Sequence, residues 1–215
     1  MREQETRVLP GVVEFRASGA DGIGTLVGYA SVFGKLSENL GGFREQVDPA
    51  AFNKSLGDRA PVVARFNHSD DQLLGTTEAG TLTLSKDSYG LRYSVDLPDT
   101  QAGRDVAALA KRGDLRYSSF AFRTIEDDWN DDSGVLLRTL HSVQLLDVAP
   151  VVSPAYRDTT AGMRSLANRT GVDFEQLRSA VNAGTPLTAL LNGDAPRPEA
   201  PSLAVLRRKL DLLMD

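Results

Sequence analysis

Residues 116–122 read RYSSFAF, two adjacent serines set among aromatic and small side chains. The aromatic content predicts a strand, and along a strand successive side chains point to opposite faces. Ser118 therefore shares a face with Phe120 and Phe122, and Ser119 shares the other with Tyr117 and Ala121. The phenylalanines belong in a core, which makes Ser118 the structural serine. Ser119 lies opposite, beside an alanine that leaves room for a ligand.

The next segment, NDDSGVLLRTLHSVQLLDVAPVV (130–152), supplies the partner strand. A three-residue hairpin loop ending in Gly134 pairs Asp131 with Val135. Continued without a bulge, that register sets Ser119 directly across from Asp147, with facing Cβ atoms ~5 Å apart. An imidazole could bridge them from above. His141 has the same parity as Asp147, but six residues of strand separate the two, ~20 Å. They cannot both serve one site, and the turn chemistry favours Asp147; a bulge in either strand would reopen the choice. The bridging histidine is then His68, in ARFNHSDDQLLG (64–75), which follows an apolar strand and sits in a short polar loop. A serine hydroxyl needs a base to take its proton, and the base needs a third group to orient it. Ser119, His68 and Asp147 could fill those roles, although a loop histidine is more often merely solvated.

Outward from this hairpin, short strands dominate the first 160 or so residues. They are expected at 8–15, 25–33, 61–67, 81–86, 91–97, 115–125 and 135–152, a pattern that suggests a barrel or sandwich. KDSYG (86–90) reads as a hairpin turn. Two helices interrupt the strands. In one, Asp48 is the N-cap and Pro49 the first helical residue. The other follows Asp99 or Thr100, presents Val106, Leu109 and Ala110 on one face, and stops at Gly113. The RGD at 112–114 is the end of that helix. Beyond Tyr156, DTTAGMRSLANRTG reads as a linker, DFEQLRSAV as a short helix and NGDAPRPEAP as a spacer. SLAVLRRKLDLLMD closes the chain as an amphipathic helix striped by Leu203, Leu206, Leu210 and Leu213. The expected division is a domain over 1–160, then a linker and helical tail over 161–215.

Composition narrows the function. A net charge of −5 and a pI near 5.1 give no support to nucleic-acid binding. The chain has no cysteine and only two histidines, which excludes thiolate chemistry and leaves a multi-histidine metal site unexpected. No signal peptide or membrane span is read in it, so a soluble, cytoplasmic-type protein is expected.

A set of segments carries a family resemblance from about Gly28 to Tyr156. They are GYASVFG, FREQVDPAAFNKSL, VVARFNHSDDQLLGTT, GLRYSVDLPDTQAGRDVAALAKRGDLRYSSFAF and LLDVAPVVSPAY. In their order and spacing the chain resembles the prohead (capsid maturation) proteases of tailed phages, distant relatives of the herpesvirus assemblin serine proteases. The resemblance implies a mainly β fold with flanking helices (α+β), an assemblin-like β-barrel of about seven strands followed by a helical C-terminal tail. It implies a serine endopeptidase with His68 as base, Ser119 as nucleophile and Asp147 as the third, acidic member. The assemblin relatives place a second histidine in that third role, which keeps His141 as a lower-ranked candidate. Asp147 stands where Glu is commoner, and Ser118 occupies a position not normally serine. No cofactor or metal is expected.

The resemblance further implies protein substrates, namely the scaffold or the scaffolding segment of the major capsid protein, and self-digestion. It places the enzyme in the host cytoplasm, inside the procapsid during assembly, and allows a homo-oligomer such as a dimer. The segment from Asp158 and the spacer near Pro196 are candidate autocleavage regions and the last helix a candidate packaging tail, although the family motifs stop near Tyr156. The turn SPAYR (153–157) is a guess for the oxyanion-binding backbone. Two competing readings remain: a catalytically inactive assembly or scaffold-binding module, and a metal-dependent hydrolase built on His68, Asp70 and Asp71. For the last two residues an acidic loop is the simpler explanation.

Overall fold

A computed structural model describes residues 4–10, 13–17, 22–132, 134–153 and 159–191. Its strands are β1 (Glu5–Pro10), β2 (Glu14–Arg16), β3 (Thr25–Val32), β4 (Phe43–Val47), β5 (Val63–Arg65), β6 (Leu73–Thr76), β7 (Leu82–Lys86), β8 (Gly90–Asp96), β9 (Tyr117–Asp132) and β10 (Val135–Val151). The helices are α1 (Asn53–Gly57), α2 (Gln101–Arg112), α3 (Thr159–Thr170), α4 (Phe174–Asn182) and α5 (Leu187–Leu191). None of these helices is long and apolar enough to cross a membrane.

The fold is mainly β with helices, as expected, but its sheets do not close into a barrel. One sheet runs β1-β9-β10-β5-β6 with β4 also on β10, and the other runs β2-β3-β8-β7. The single strand expected over 8–15 is in fact two, β1 ending at Pro10 in one sheet and β2 beginning at Glu14 in the other. Both sheets contribute to one apolar core, Leu26, Tyr93 and Val95 from the smaller meeting Phe120, Phe122, Leu145 and Val148 from the larger.

The long β10 organises the larger sheet. One edge pairs antiparallel with β9; the other pairs in parallel first with β4 and then with β5. In the gap between β4 and β5 the α1 region supplies the missing partners. Val143 N–H donates to the Ala51 carbonyl, Ser55 Oγ–H donates to the Val143 carbonyl at 2.7 Å, and Leu145 N–H donates to Ser55 Oγ at 2.9 Å. Buried backbone groups are thereby satisfied where the ladder is interrupted. The helix expected from Pro49 begins only at Asn53, since Asp48 Oδ1 accepts from Ala50 N–H and closes a tight turn first. α2 follows the sequence more closely, with Thr100 Oγ1 accepting from Gly103 N–H and Gly113 left-handed at its end.

The segment after Asp158, expected as a linker, is the helix α3. It docks because Met163 and Leu166 join Phe43, Leu136, Leu177 and Leu187 in a second apolar cluster with Trp129 at its margin. Gly162 lets the helix come close, since a Cβ there would lie 2.5 Å from the Phe43 ring. The short helix expected at DFEQLRSAV is α4, with Asp173 as its N-cap. The expected helix at 202–215 lies outside the described residues.

Beneath this cluster the sheet holds a buried ionic group that the sequence did not announce. Arg138 is fully buried and bonds Glu5 at 2.6 Å, Glu45 at 3.0 Å and Asp127 at 2.8 Å. Arg7 grips both oxygens of Glu45 at 2.7 and 2.8 Å and also reaches Glu5 at 2.7 Å. Burial alone would raise the Glu5 carboxyl, but Arg138, Arg7 and Thr124 together hold it down to about 2.

Two outcomes follow from this group. Arg138→Met leaves Glu5 and Glu45 short of positive charge and should cost about 3–5 kcal/mol in urea unfolding. The Glu5 contribution, roughly 3 kcal/mol by linkage, is present above the unfolded carboxyl's range and is lost as pH falls through the folded value. In Glu5→Gln the stability–pH curve should therefore be flatter between about pH 4.5 and 2.

Candidate active site

β9 and β10 carry two of the singled-out side chains, and their pairing differs from the unbulged expectation. The hairpin pairs Asp132 with Val135, so its turn is one residue shorter in effect, and irregularities follow at Leu140/Ser142, Ser142/Val143 and Leu145/Asp147. Ser119 consequently faces Ala149, while Asp147 faces Ala121. The displacement along β10 is two residues, which preserves the face. Ser118 falls with Phe120 and Phe122 in the core, and its Oγ lies 3.0 Å from the Tyr93 hydroxyl. Burial pushes the Tyr93 phenol up, which keeps it neutral and able to donate.

His68 comes from the opposite side. β5 lies parallel to β10 with Val63 beside Asp147, and a single 3₁₀ turn, Phe66–His68, follows it. Asn67 and His68 are both left-handed, with φ of 55° and 57°. Two successive non-glycine residues in this region are costly and persist only where the surroundings hold them. The Asn67 side chain provides part of that hold: its Oδ1 accepts from Val152 N–H at 3.1 Å, which ties the turn to the end of β10. The loop closes on itself through Phe66 N–H to the Gln72 carbonyl and Ser69 N–H to the Phe66 carbonyl.

The result is a line of three side chains. His68 Nδ1 is 2.9 Å from Asp147 Oδ1, and His68 Nε2 is 2.6 Å from Ser119 Oγ. Asp147 is nearly buried, whereas the imidazole keeps 20% of its side-chain exposure. Ser119 is closed off from solvent, and its Oγ also lies 2.8 Å from the Arg7 carbonyl of β1, the strand that pairs Val8 with Ser119. Such a line can pass a proton from hydroxyl to imidazole while the carboxylate steadies the ring.

The other singled-out residues fall elsewhere. His141 lies between Asp128, 3.2 Å from Nε2, and Asp48, 3.6 Å from Nδ1. Asp70 bonds Arg65, and Asp71 accepts from the Ser69 hydroxyl at 2.9 Å. No group of three His, Asp or Glu among the described residues could hold a metal ion. SPAYR lies outside the described residues apart from Ser153. Sequence reasoning missed Arg65, Asn67 and the Arg7 carbonyl. For Asn67 there was a signal, since asparagine is among the few residues at ease in the left-handed region; a backbone carbonyl leaves none.

Ser119 and Asp147 on the bulged β9–β10 hairpin and His68 from the turn after β5 thus form one serine–histidine–carboxylate line. The model of the caudovirus prohead serine protease family matches residues 12–171, and the chain belongs to that family, whose members are phage capsid-assembly proteases. A search of curated proteins found no significant match. Among solved structures, the capsid assembly protease of bacteriophage T4, gp21, is similar, at 12% identity and a TM-score of 0.44 over 69% of this chain and 99% of that one.

The left-handed turn can be tested directly. Asn67→Ala should lose about 1–2 kcal/mol in urea unfolding, because it combines the left-handed penalty with a lost hydrogen bond. Asn67→Gly removes the bond but not the freedom to adopt the turn, so it should lose less.

Proposed function

We propose that the protein is a serine endopeptidase of capsid maturation in which Ser119 is the nucleophile, His68 the general base and Asp147 the orienting carboxylate. The observation that carries this reading is the His68 ring, within hydrogen-bond reach of Ser119 on one nitrogen and of Asp147 on the other. With Nδ1–H donated to Asp147, the Nε2 lone pair faces the Ser119 hydroxyl. His68 takes that proton as Oγ attacks the scissile carbonyl, and Asp147 stabilises the imidazolium that forms. Backbone N–H groups would hold the oxyanion. The imidazolium then protonates the leaving amine, and a water activated by the same ring releases the acyl group.

Family membership supports the substrate class, namely the scaffold or the scaffolding segment of the major capsid protein, acted on inside the procapsid. Self-cleavage belongs to the same proposal. Of the two candidate regions, the one following Asp158 enters α3, whose Met163 and Leu166 are buried. A folded, docked helix is a poor substrate for proteolysis, which concentrates at exposed, loosely held backbone. The proline-rich spacer near Pro196, which lies outside the described residues, is the other candidate. A dimeric active form fits the proposal without a surface in this structure assigned to it.

Intact-mass analysis after co-expression with the cognate capsid protein tests the reading. Ser119→Ala should abolish cleavage of both proteins, at least 10³-fold in rate by the measure of other triads. Ser118→Ala should cleave at close to the wild-type rate while losing about 1 kcal/mol of stability, because it strands the Tyr93 hydroxyl. Cleavage surviving Ser119→Ala would sink the serine mechanism. If the wild type left both proteins intact, the inactive assembly module would be the better reading.

A further inference from the structure

We infer that Leu73 forms an apolar subsite for the substrate chain on the leaving-group side of the scissile bond, about four residues past the cut. The inference rests on the proposed function and names part of the peptide that the same site would select.

The strand pairing sets four residues in one row across the larger sheet. Ala149 of β10 faces Ser119 of β9. Val148 stands beside Ala64 in the parallel pair of β10 and β5, so the next residues, Ala149 and Arg65, stand side by side as well. Arg65 in turn faces Leu73 of β6, the strand that ends the sheet order. The row runs Ser119, Ala149, Arg65, Leu73, and it lies on the face turned away from the core. Ala149 follows Val148 and Ser119 precedes Phe120, both of them core residues. The Arg65 guanidinium is 3.7 Å from Asp147 Oδ2, and Leu73 is outward where its neighbour Leu74 is buried.

Exposure rises along this line. Ser119 is closed at 0%, the His68 side chain that reaches it keeps 20%, the Arg65 side chain 29%, and Leu73 is 47% exposed. That order describes a cleft deepest at the nucleophile and open toward β6. A lone exposed leucine needs no account. This one ends a row that begins at the nucleophile, on an edge strand where apolar side chains invite association.

Spacing and chemistry fix what the subsite takes. Three strand intervals of ~4.8 Å separate Ser119 from Leu73, ~14 Å in all, which an extended chain covers in about four residues at ~3.3 Å each. In the proposed mechanism the imidazolium protonates the leaving amine, so the leaving nitrogen lies at His68 Nε2. The substrate chain beyond that nitrogen passes on the side of His68, whose connection from β5 leads directly into β6 and Leu73. Leu73 offers no polar group, so a charged side chain there would lose water without gaining a partner. An aliphatic side chain is the occupant that fits.

Intact mass after co-expression with the capsid protein locates the cut junction, and synthetic peptides spanning it can carry leucine, alanine or aspartate at the fourth position past the cut. The wild type should cleave the leucine peptide with a kcat/KM about tenfold above that of the aspartate peptide. Leu73→Lys should invert that preference, and Leu73→Ala should shrink it. The readout is a ratio between two peptides on one protein, so damage to the fold or to the triad cancels. A wild type indifferent to the side chain at the third to fifth positions overturns the inference, as does a ratio in Leu73→Lys equal to that of wild type. A preference confined to the acyl side of the bond overturns it too. Should Leu73→Lys fail to fold, the ratio in Leu73→Ala decides. Labelling of the wild type by a fluorophosphonate separates the two levels. A protein that neither takes the label at Ser119 nor cuts any peptide loses the protease reading and this inference with it. One that is labelled and cuts, with a ratio untouched by the Leu73 variants, loses this inference alone.

Discussion

The buried ionic group around Arg138 is the constraint on which the rest of the larger sheet depends. Its members come from β1, β4, β9 and β10, and its charges alternate so that no oxygen or guanidinium is left facing hydrocarbon. Buried ion pairs are weak sources of net stability because desolvation offsets attraction. What they impose is register: an Arg7 moved by one residue would turn its guanidinium to the opposite face and leave Glu45 unpaired. The group therefore locks β1 onto β9 in the single pairing that sets Val8 beside Ser119. The nucleophile candidate is placed as much by charges on the other side of the sheet as by its own strand.

This group also explains which elements the sequence concealed. Strands β3, β7 and β8 and helices α2 and α4 were legible because their signals are local: alternating apolar residues, a turn at Asp87, a cap at Thr100. In β1 and β4 the inward-facing residues are Glu5, Arg7 and Glu45, so the hydrophobic alternation that identifies a strand is broken. α3 was hidden for another reason. Its Gly162 reads as a loop residue, yet it serves close packing against Phe43.

Ser119 and Asp147 could be set on one face from parity even though the register could not be read. A shorter turn and the bulges of β9–β10 together displace the facing residue from Asp147 to Ala149. An offset of two preserves the face, whereas an offset of one would have sent Asp147 to the other side of the sheet. Bulges depend on long-range demands, here the α1 region replacing the ladder at Val143 and Leu145, and no local sequence signal encodes those demands. Spacing favoured Asp147 over His141 but left that choice open to a bulge, and the family resemblance implied Asp147 with His141 ranked below it.

The Arg7 carbonyl gives the buried group a direct bearing on the proposed chemistry. Ser119 Oγ has one proton and two acceptors within reach, His68 Nε2 at 2.6 Å and the carbonyl at 2.8 Å. When His68 is neutral, with Nδ1–H on Asp147, the proton must go to Nε2 for attack, and the carbonyl is left facing an oxygen without a hydrogen. When His68 carries both protons, Nε2–H donates to Oγ and Oγ–H donates to the carbonyl, so every contact is satisfied at once. A neutral His68 therefore competes with the β1 carbonyl for the Ser119 proton. β1 is held at this point both by its ladder to β9 and by the Arg7–Glu45 pair, so the carbonyl that meets Ser119 Oγ is anchored from both faces of the sheet.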